Sequence, residues 1–273
     1  MRTVYSGTSS VEGWIARRLR QMTDEQRRSE DFVSRARSAA KALSGEPRRD
    51  ALRALKELSA MGVDSSGSLV QIIHGREFAL DARVSACLLA SLLNEKRAVG
   101  PLLSAISDEH SALTWAAAKA LIGLGSRRAV TPLLKKLGSD SNAVRRSAYA
   151  YVLGSLKDRR AVQPLIDIFR SGVEDAQVRG HAVEALAYLR DPGACVDLIL
   201  GLKDASTEVR YWSAFALGEL SCRGAVPRLR GLVAERLRRA GRHDSVSREA
   251  LQAIGAIESA SAKGSGGAPK KHG

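Results

Sequence analysis

The side chains able to do acid–base, nucleophilic or metal chemistry are few in this sequence, and they do not gather. Five histidines, His74, His110, His181, His243 and His272, occur in no HxxxH spacing, so no helical turn presents two imidazoles to one zinc ion. Three cysteines, Cys87, Cys195 and Cys222, form no CxxC pair, and their odd number and wide separation predict reduced thiols acting as small apolar fillers. No serine, histidine and aspartate set stands out as a nucleophile with its base. The glycines of "SAKGSGGAPKKHG" lack the Gly-Lys-Ser/Thr ending that a phosphate loop requires. These residues predict no catalytic group, no metal and no cofactor, which leaves binding as the chemistry to look for.

Binding residues need elements to hold them, and the elements are written repeatedly. The phrase Ala-Val-x-Pro-Leu occurs at Ala98–Leu102, Ala129–Leu133 and Ala161–Leu165, with degenerate copies at Ala194–Leu198 and Ala225–Leu229. A second phrase falls between the copies, as in "NAVRRSAYAYVLGSL" and "TEVRYWSAFALGELS". In the latter, Val209, Ala216, Leu217 and Leu220 share one helical face, Asp204, Ser206 and Thr207 are available to cap its start, and Gly218 lets a neighbouring backbone come close. In the first phrase Pro101, Pro132 and Pro164 recur early in the helix, where a missing N–H costs least. Each unit is therefore a helical hairpin that buries its apolar faces only against its neighbours. The chain is 44% hydrophobic but 4% aromatic, which agrees with an all-α core packed through small residues.

The pattern resembles HEAT-like repeats of the phycobilisome-lyase type, "D...VR..A..ALG.....AV..L", matched at Asp140/Val144/Arg145, Asp175/Val178/Arg179 and Asp204/Val209/Arg210. Leu113-Thr114 and Val246-Ser247 depart from it. The resemblance implies an α-solenoid of about six stacked hairpins with an N-terminal helical cap. It also implies that Asp140, Arg145, Asp175, Arg179, Asp204 and Arg210 form a structural ladder, not an anion-binding row. Because the family includes pigment lyases beside scaffolds, and a HEAT-like DNA glycosylase is a further enzymatic possibility, Glu184 and Glu219 are the acids to test if the chain is an enzyme.

The expected organisation is a basic helical extension or cap at 1–49, the repeat array at 50–258 and a disordered basic tail at 259–273. In the extension, Val11, Trp14, Ile15, Leu19 and Met22 share a face that caps the first repeat or meets a membrane surface. No apolar run reaches membrane-spanning length, and the expected location is the cytoplasm. The net charge is +14, yet residues 50–221 carry 21 basic and 19 acidic side chains, so the bias sits at the ends. There Arg236, Arg238, Arg239 and Arg242 form a basic patch suited to nucleic acid or an anionic surface. The facing positions of the second helices are Trp115, Lys119, Arg146, His181, Glu184, Tyr188, Tyr211, Trp212, Phe215 and Glu219. On a concave face, aromatics flanked by both charge signs suit a partner protein or peptide. The expected function is a non-catalytic interaction scaffold; the alternatives are binding through the basic ends and a bilin-lyase-like chaperone or enzyme.

Overall fold

The computed structural model describes residues 34, 36–37, 45–60, 66–172, 174–240 and 244–265, and all regular structure among them is helical. The amphipathic segment through Met22 and residues 266–273 of the tail lie outside the described residues, while 259–265 of the expected disordered tail are helical instead. The helices are α1 Gly45–Ala60, α2 Ser66–His74, α3 Leu80–Leu92, α4 Val99–Ala105, α5 Ser111–Leu124, α6 Val130–Ser139 and α7 Ala143–Ser155. They continue with α8 Val162–Arg170, α9 Ala176–Leu189, α10 Cys195–Gly201, α11 Thr207–Glu219, α12 Val226–Ala240 and α13 Ser245–Ser265. Two compact units divide the chain within α4, at Pro101 and Leu102. In the first, α1 and α2 both pack on α3. In the second, α6 packs on α7, α8 on α9, α10 on α11 and α12 on α13, while α5, α7, α9, α11 and α13 also pack in series.

That series is held by backbone-close crossings. A Cβ added to Gly154 of α7 would stand 2.5 Å from Ala185 Cα of α9, and one on Gly218 of α11 would stand 2.9 Å from Ala253 Cα of α13. Gly218 thus permits the approach its place in the sequence predicts. Around the crossings the core is filled by fully buried Leu153, Ala182, Leu186, Ala216 and Leu217.

Each hairpin starts the same way. The alanine of the Ala-Val-x-Pro-Leu phrase closes a short 3-10 turn, and Ala98, Ala129, Ala161, Ala194 and Ala225 are all fully buried. Glu95, Asp158 and Asp191 cap these turns by accepting from the N–H groups of Arg97, Arg160 and Gly193. Second helices are capped at Asn142, Asp175 and Ser206, whose side chains accept from Arg145, Gln177 and Val209 N–H. After each second helix the backbone turns through a left-handed residue, Asn94, Gly125, Lys157, Arg190 or Ser221, the turn that reverses the chain into the next hairpin.

The cysteine expectation is corrected in one respect. Cys87 is a buried free thiol whose pKa burial pushes up to about 12, but Cys195 and Cys222 are joined in a disulfide with Cα atoms 5.8 Å apart. The two are 27 residues apart in sequence, yet the repeat brings the end of one 3-10 turn against the start of the next. Cys222 takes the capping position held elsewhere by Glu95, Asp158 and Asp191, and Cys195 the position held by Val99, Val130, Val162 and Val226.

Three outcomes check this account. Gly154→Ala should destabilise the protein by about 1–3 kcal/mol despite alanine's better helix propensity, because its methyl meets backbone. Gly255→Ala, with nothing within 4 Å of its added Cβ, should stabilise by up to about 1 kcal/mol. Chemical denaturation of both variants supplies the signs. Reducing the disulfide, or replacing Cys222 by Ser, should cost about 3 kcal/mol by releasing the closed loop, read in the same assay with and without reductant.

Candidate functional site

The outward side of the second-helix row carries two aromatic clusters. In the first, Trp115 of α5, Tyr151 of α7 and His181 of α9 meet with ring centroids 5.9, 5.3 and 6.3 Å apart. Trp115 and His181 belong to helices two repeats apart and still touch, so this side closes inward here. Glu184, one turn beyond His181 and only 6% exposed, lies beneath. Its carboxylate accepts from Tyr188 Oη at 2.9 Å and lies 3.1 Å from His181 Nδ1. Burial, together with that carboxylate, raises the phenol pKa of Tyr151 and Tyr188, keeping both hydroxyls protonated as donors. In the second cluster Tyr211, Trp212 and Phe215 of α11 pack edge to face, with centroids 5.4 and 5.6 Å apart. Tyr211 is bonded to Glu249 of α13, and its pKa is raised by burial and that charge. All six rings keep part of their surface in solvent.

The other facing residues divide into rim and tie. Lys119 is exposed, one turn along α5 from Trp115. Glu219 is an exposed partner of Arg190, 2.6 Å away. Arg146 is turned inward: Nε donates to Leu137 O at 3.1 Å and Nη1 pairs with Glu174, a contact that ties α7 to the approach of α9. Tyr151 is absent from the sequence-derived set because it lies seven residues beyond Val144, two helical turns on, rather than at the offsets that pick out its neighbours. Its signal was the spacing of Tyr149 and Tyr151, which places one ring inside and the other outside.

The acid and arginine positions that recur in the repeats bond to one another and to nearby backbone rather than to the aromatic clusters. Arg145 holds Asp140 through two bonds of 2.7 Å, and Tyr149 adds a third to Asp140 at 2.8 Å. Tyr149 Oη also lies 2.9 Å from Ser107 Oγ, which accepts from Lys136 Nζ at 2.8 Å, so one polar chain links the turn after α4 with α6 and α7. Arg179 reaches across repeats to Asp204 at 2.9 Å and to Glu174 O at 2.6 Å. Arg210 donates to Asp204 O and Ala205 O, while Asp175 caps α9. Of the basic end patch, Arg236, Arg238 and Arg239 lie on α12 with side chains that are not described, and Arg242 lies outside the described residues. Among the described residues no group of three His, Cys, Asp or Glu side chains is placed to hold a metal, and no helix is long and apolar enough to cross a membrane.

The sequence matches the HEAT repeat model at residues 67–154 and 132–199 and the PBS lyase HEAT-like repeat model at 209–235. Bovine deoxyhypusine hydroxylase (Bos taurus) is 35% identical over 88 residues, covering 32% of this chain and 27% of that protein. Phycocyanobilin lyase subunit alpha of Picosynechococcus sp. is 33% identical over 146 residues, covering 47% of this chain and 54% of that protein. The chain thus spans about half or less of the length of these curated relatives. An Escherichia coli protein, YibA, shares the fold with a TM-score of 0.50 at 16% identity, over 94% of this chain and 98% of that one.

The bonds from Arg145, above all, hold the Asp140 carboxyl far below the usual carboxylate range. A depressed native pKa stabilises the fold above the unfolded value of about 3.9, and that stability is lost as pH falls toward the native value. The urea midpoint should therefore drop as pH is lowered from about 5 to about 2. Asp140→Asn should be less stable at neutral pH and should show a shallower drop; an unchanged slope would remove Asp140 from the ladder.

Proposed function

We propose that this chain, which belongs to the HEAT-like repeat proteins, is a non-catalytic interaction scaffold that takes a partner protein or peptide on the face of its second helices. The observation that carries the reading is the part-exposed aromatic row running from Trp115 through Tyr151, His181 and Tyr188 to Tyr211, Trp212 and Phe215. Rings already held by edge-to-face contacts lose little freedom on binding and offer large apolar area, the properties of residues that dominate interface affinity. Lys119 and Glu219 supply exposed charge of both signs around them. Of the ladder positions, Arg179 and Asp204 tie successive repeats, while Asp140 with Arg145, Asp175 and Arg210 fix the starts of the second helices. The cytoplasmic location expected from the sequence belongs to this proposal. In a reducing cytoplasm the Cys195–Cys222 pair would be held as thiols, so its redox state in native material reads the compartment.

A second reading, a lyase-like role, is favoured by the similarity to the phycocyanobilin lyase subunit and by Glu184, an acid buried among aromatic rings. Binding of phycocyanobilin, followed by a change in its visible absorption that Glu184→Gln abolishes, would support it over the scaffold.

For the scaffold, affinity capture from native lysate with and without nuclease should yield a partner that Tyr211→Ala with Phe215→Ala retains at least about tenfold less well, given that aromatic anchors typically each contribute more than 1 kcal/mol. Helical circular dichroism should be unchanged. The same captured set with the variant, or a melted variant, would overturn the assignment of this face.

A further inference from the structure

The loops that lead from each second helix to the next hairpin present an array that the near-neutral charge tally of residues 50–221 conceals. In the second unit these connectors are 125–128, 157–160, 190–193 and 221–224. They hold Arg127, Arg128, Lys157, Arg159, Arg160, Arg190 and Arg223 against two acids, Asp158 and Asp191. Contacts between successive connectors place them side by side on one edge. Arg127 acts electrostatically on Asp158, Arg159 Nη2 bonds Asp191 Oδ2 at 2.8 Å, and the Cys195–Cys222 disulfide joins the last two turns.

Capping sorts the two signs of charge by depth. Asp158 and Asp191 are drawn in to accept from Arg160 and Gly193 N–H, which leaves their side chains 13% and 17% exposed. Their arginine partners point outward, Arg159 80% and Arg160 58% exposed. Arg190 is 67% exposed beside Glu219. Ion pairs this open contribute little, so the guanidinium groups can be recruited by a stronger anion without loss of the fold.

We propose that this edge binds the phosphodiester backbone of a nucleic acid, without base readout. A line of cations recurring once per repeat matches a polyanion whose charges also recur along a line, and the arginine fork suits phosphate oxygens. These connectors contain no aromatic or large aliphatic residue, so they lack the buried anchor on which a protein interface depends. Pro192, Gly193 and Gly224 keep the edge low where the arginines thin out. The connector residues differ from those of the aromatic face, which they meet only where Arg190 bonds Glu219, and from Arg236, Arg238, Arg239 and Arg242.

The test is fluorescence anisotropy of the full chain with a labelled oligothymidine and a labelled duplex, each of about 20 nucleotides, from about 50 to about 300 mM salt. The expected result is binding of either probe with a steep log–log salt slope. Replacing Arg127, Arg128, Arg159 and Arg160 by Glu should weaken it at least about a hundredfold and reduce the slope by about 3, as four phosphate contacts are lost. Arg128→Gln with Arg160→Gln, which leaves Arg159 and Asp191 paired, should give about half that slope change and serves if the fourfold variant fails to fold. Arg236, Arg238, Arg239 and Arg242 changed to Gln should leave most of the slope intact. No binding by the native protein near 50 mM salt, an unchanged slope in the connector variants, or loss confined to the α12 variant would each overturn the proposal. So would capture of a polyglutamate peptide in preference to both oligonucleotides, which would assign the edge to an acidic protein.

Discussion

The second unit depends on how closely its second helices approach. With Gly154 against the backbone of Ala185 and Gly218 against that of Ala253, the crossings leave no room for a methyl group. Helices that close cannot slide by a turn without a side chain colliding, so each crossing fixes a register as well as a distance. The first helices then fill the remaining side of each hairpin with larger residues, such as Leu133, Leu165, Leu198 and Leu229, all fully buried. Small residues set the geometry and leucines supply many of the largest fully buried side chains, which is why a chain with 4% aromatic content can still build a core.

A fixed register makes each repeated position recur on the same surface. The residue capping a 3-10 turn in this part of the array lands beside the turn of the preceding hairpin, and different residues exploit that nearness differently. Asp191 meets Arg159, and Cys222 meets Cys195. The disulfide is thus a covalent version of a rung that is ionic one repeat earlier. It closes a loop containing α10 and α11, so the hairpin bearing Tyr211, Trp212 and Phe215 is bounded at both ends by a link that conformational entropy alone cannot open.

The sequence carried the architecture because architecture is repeated, and repetition averages out local ambiguity. The Ala-Val-x-Pro-Leu phrase, the glycine at 218 and the caps before Val209 were each legible from spacing. What was not legible depends on neighbours distant in the chain. Tyr151 becomes a face residue only because Trp115 and His181 converge on it from other repeats. Arg146 has the position of a face residue but is drawn away by Glu174, 28 residues on. The Cys195–Cys222 pair is invisible to motif counting because its spacing is that of the repeat, not of a redox or metal motif.

Charge shows the same limit most clearly. A tally of 21 basic and 19 acidic residues over 50–221 treats every ion as equivalent, whereas folding assigns them unequal depth. A short acid at the start of a 3-10 turn has backbone N–H groups within reach and turns inward to them. An arginine at the next positions has a long stem, no acceptor in the turn itself beyond that acid, and its lowest desolvation cost pointing outward. Repeating the turn repeats the sorting, and a chain with almost no net charge along its middle acquires a positive rim. The rule follows from capping alone: wherever a repeat opens with an acid followed by arginines, its connector edge will be more basic than its composition. Aromatic face and basic edge then arise from different parts of the same hairpin, the outward side of the second helix and the turn that follows it, and either can change without disturbing the glycine crossings that hold both.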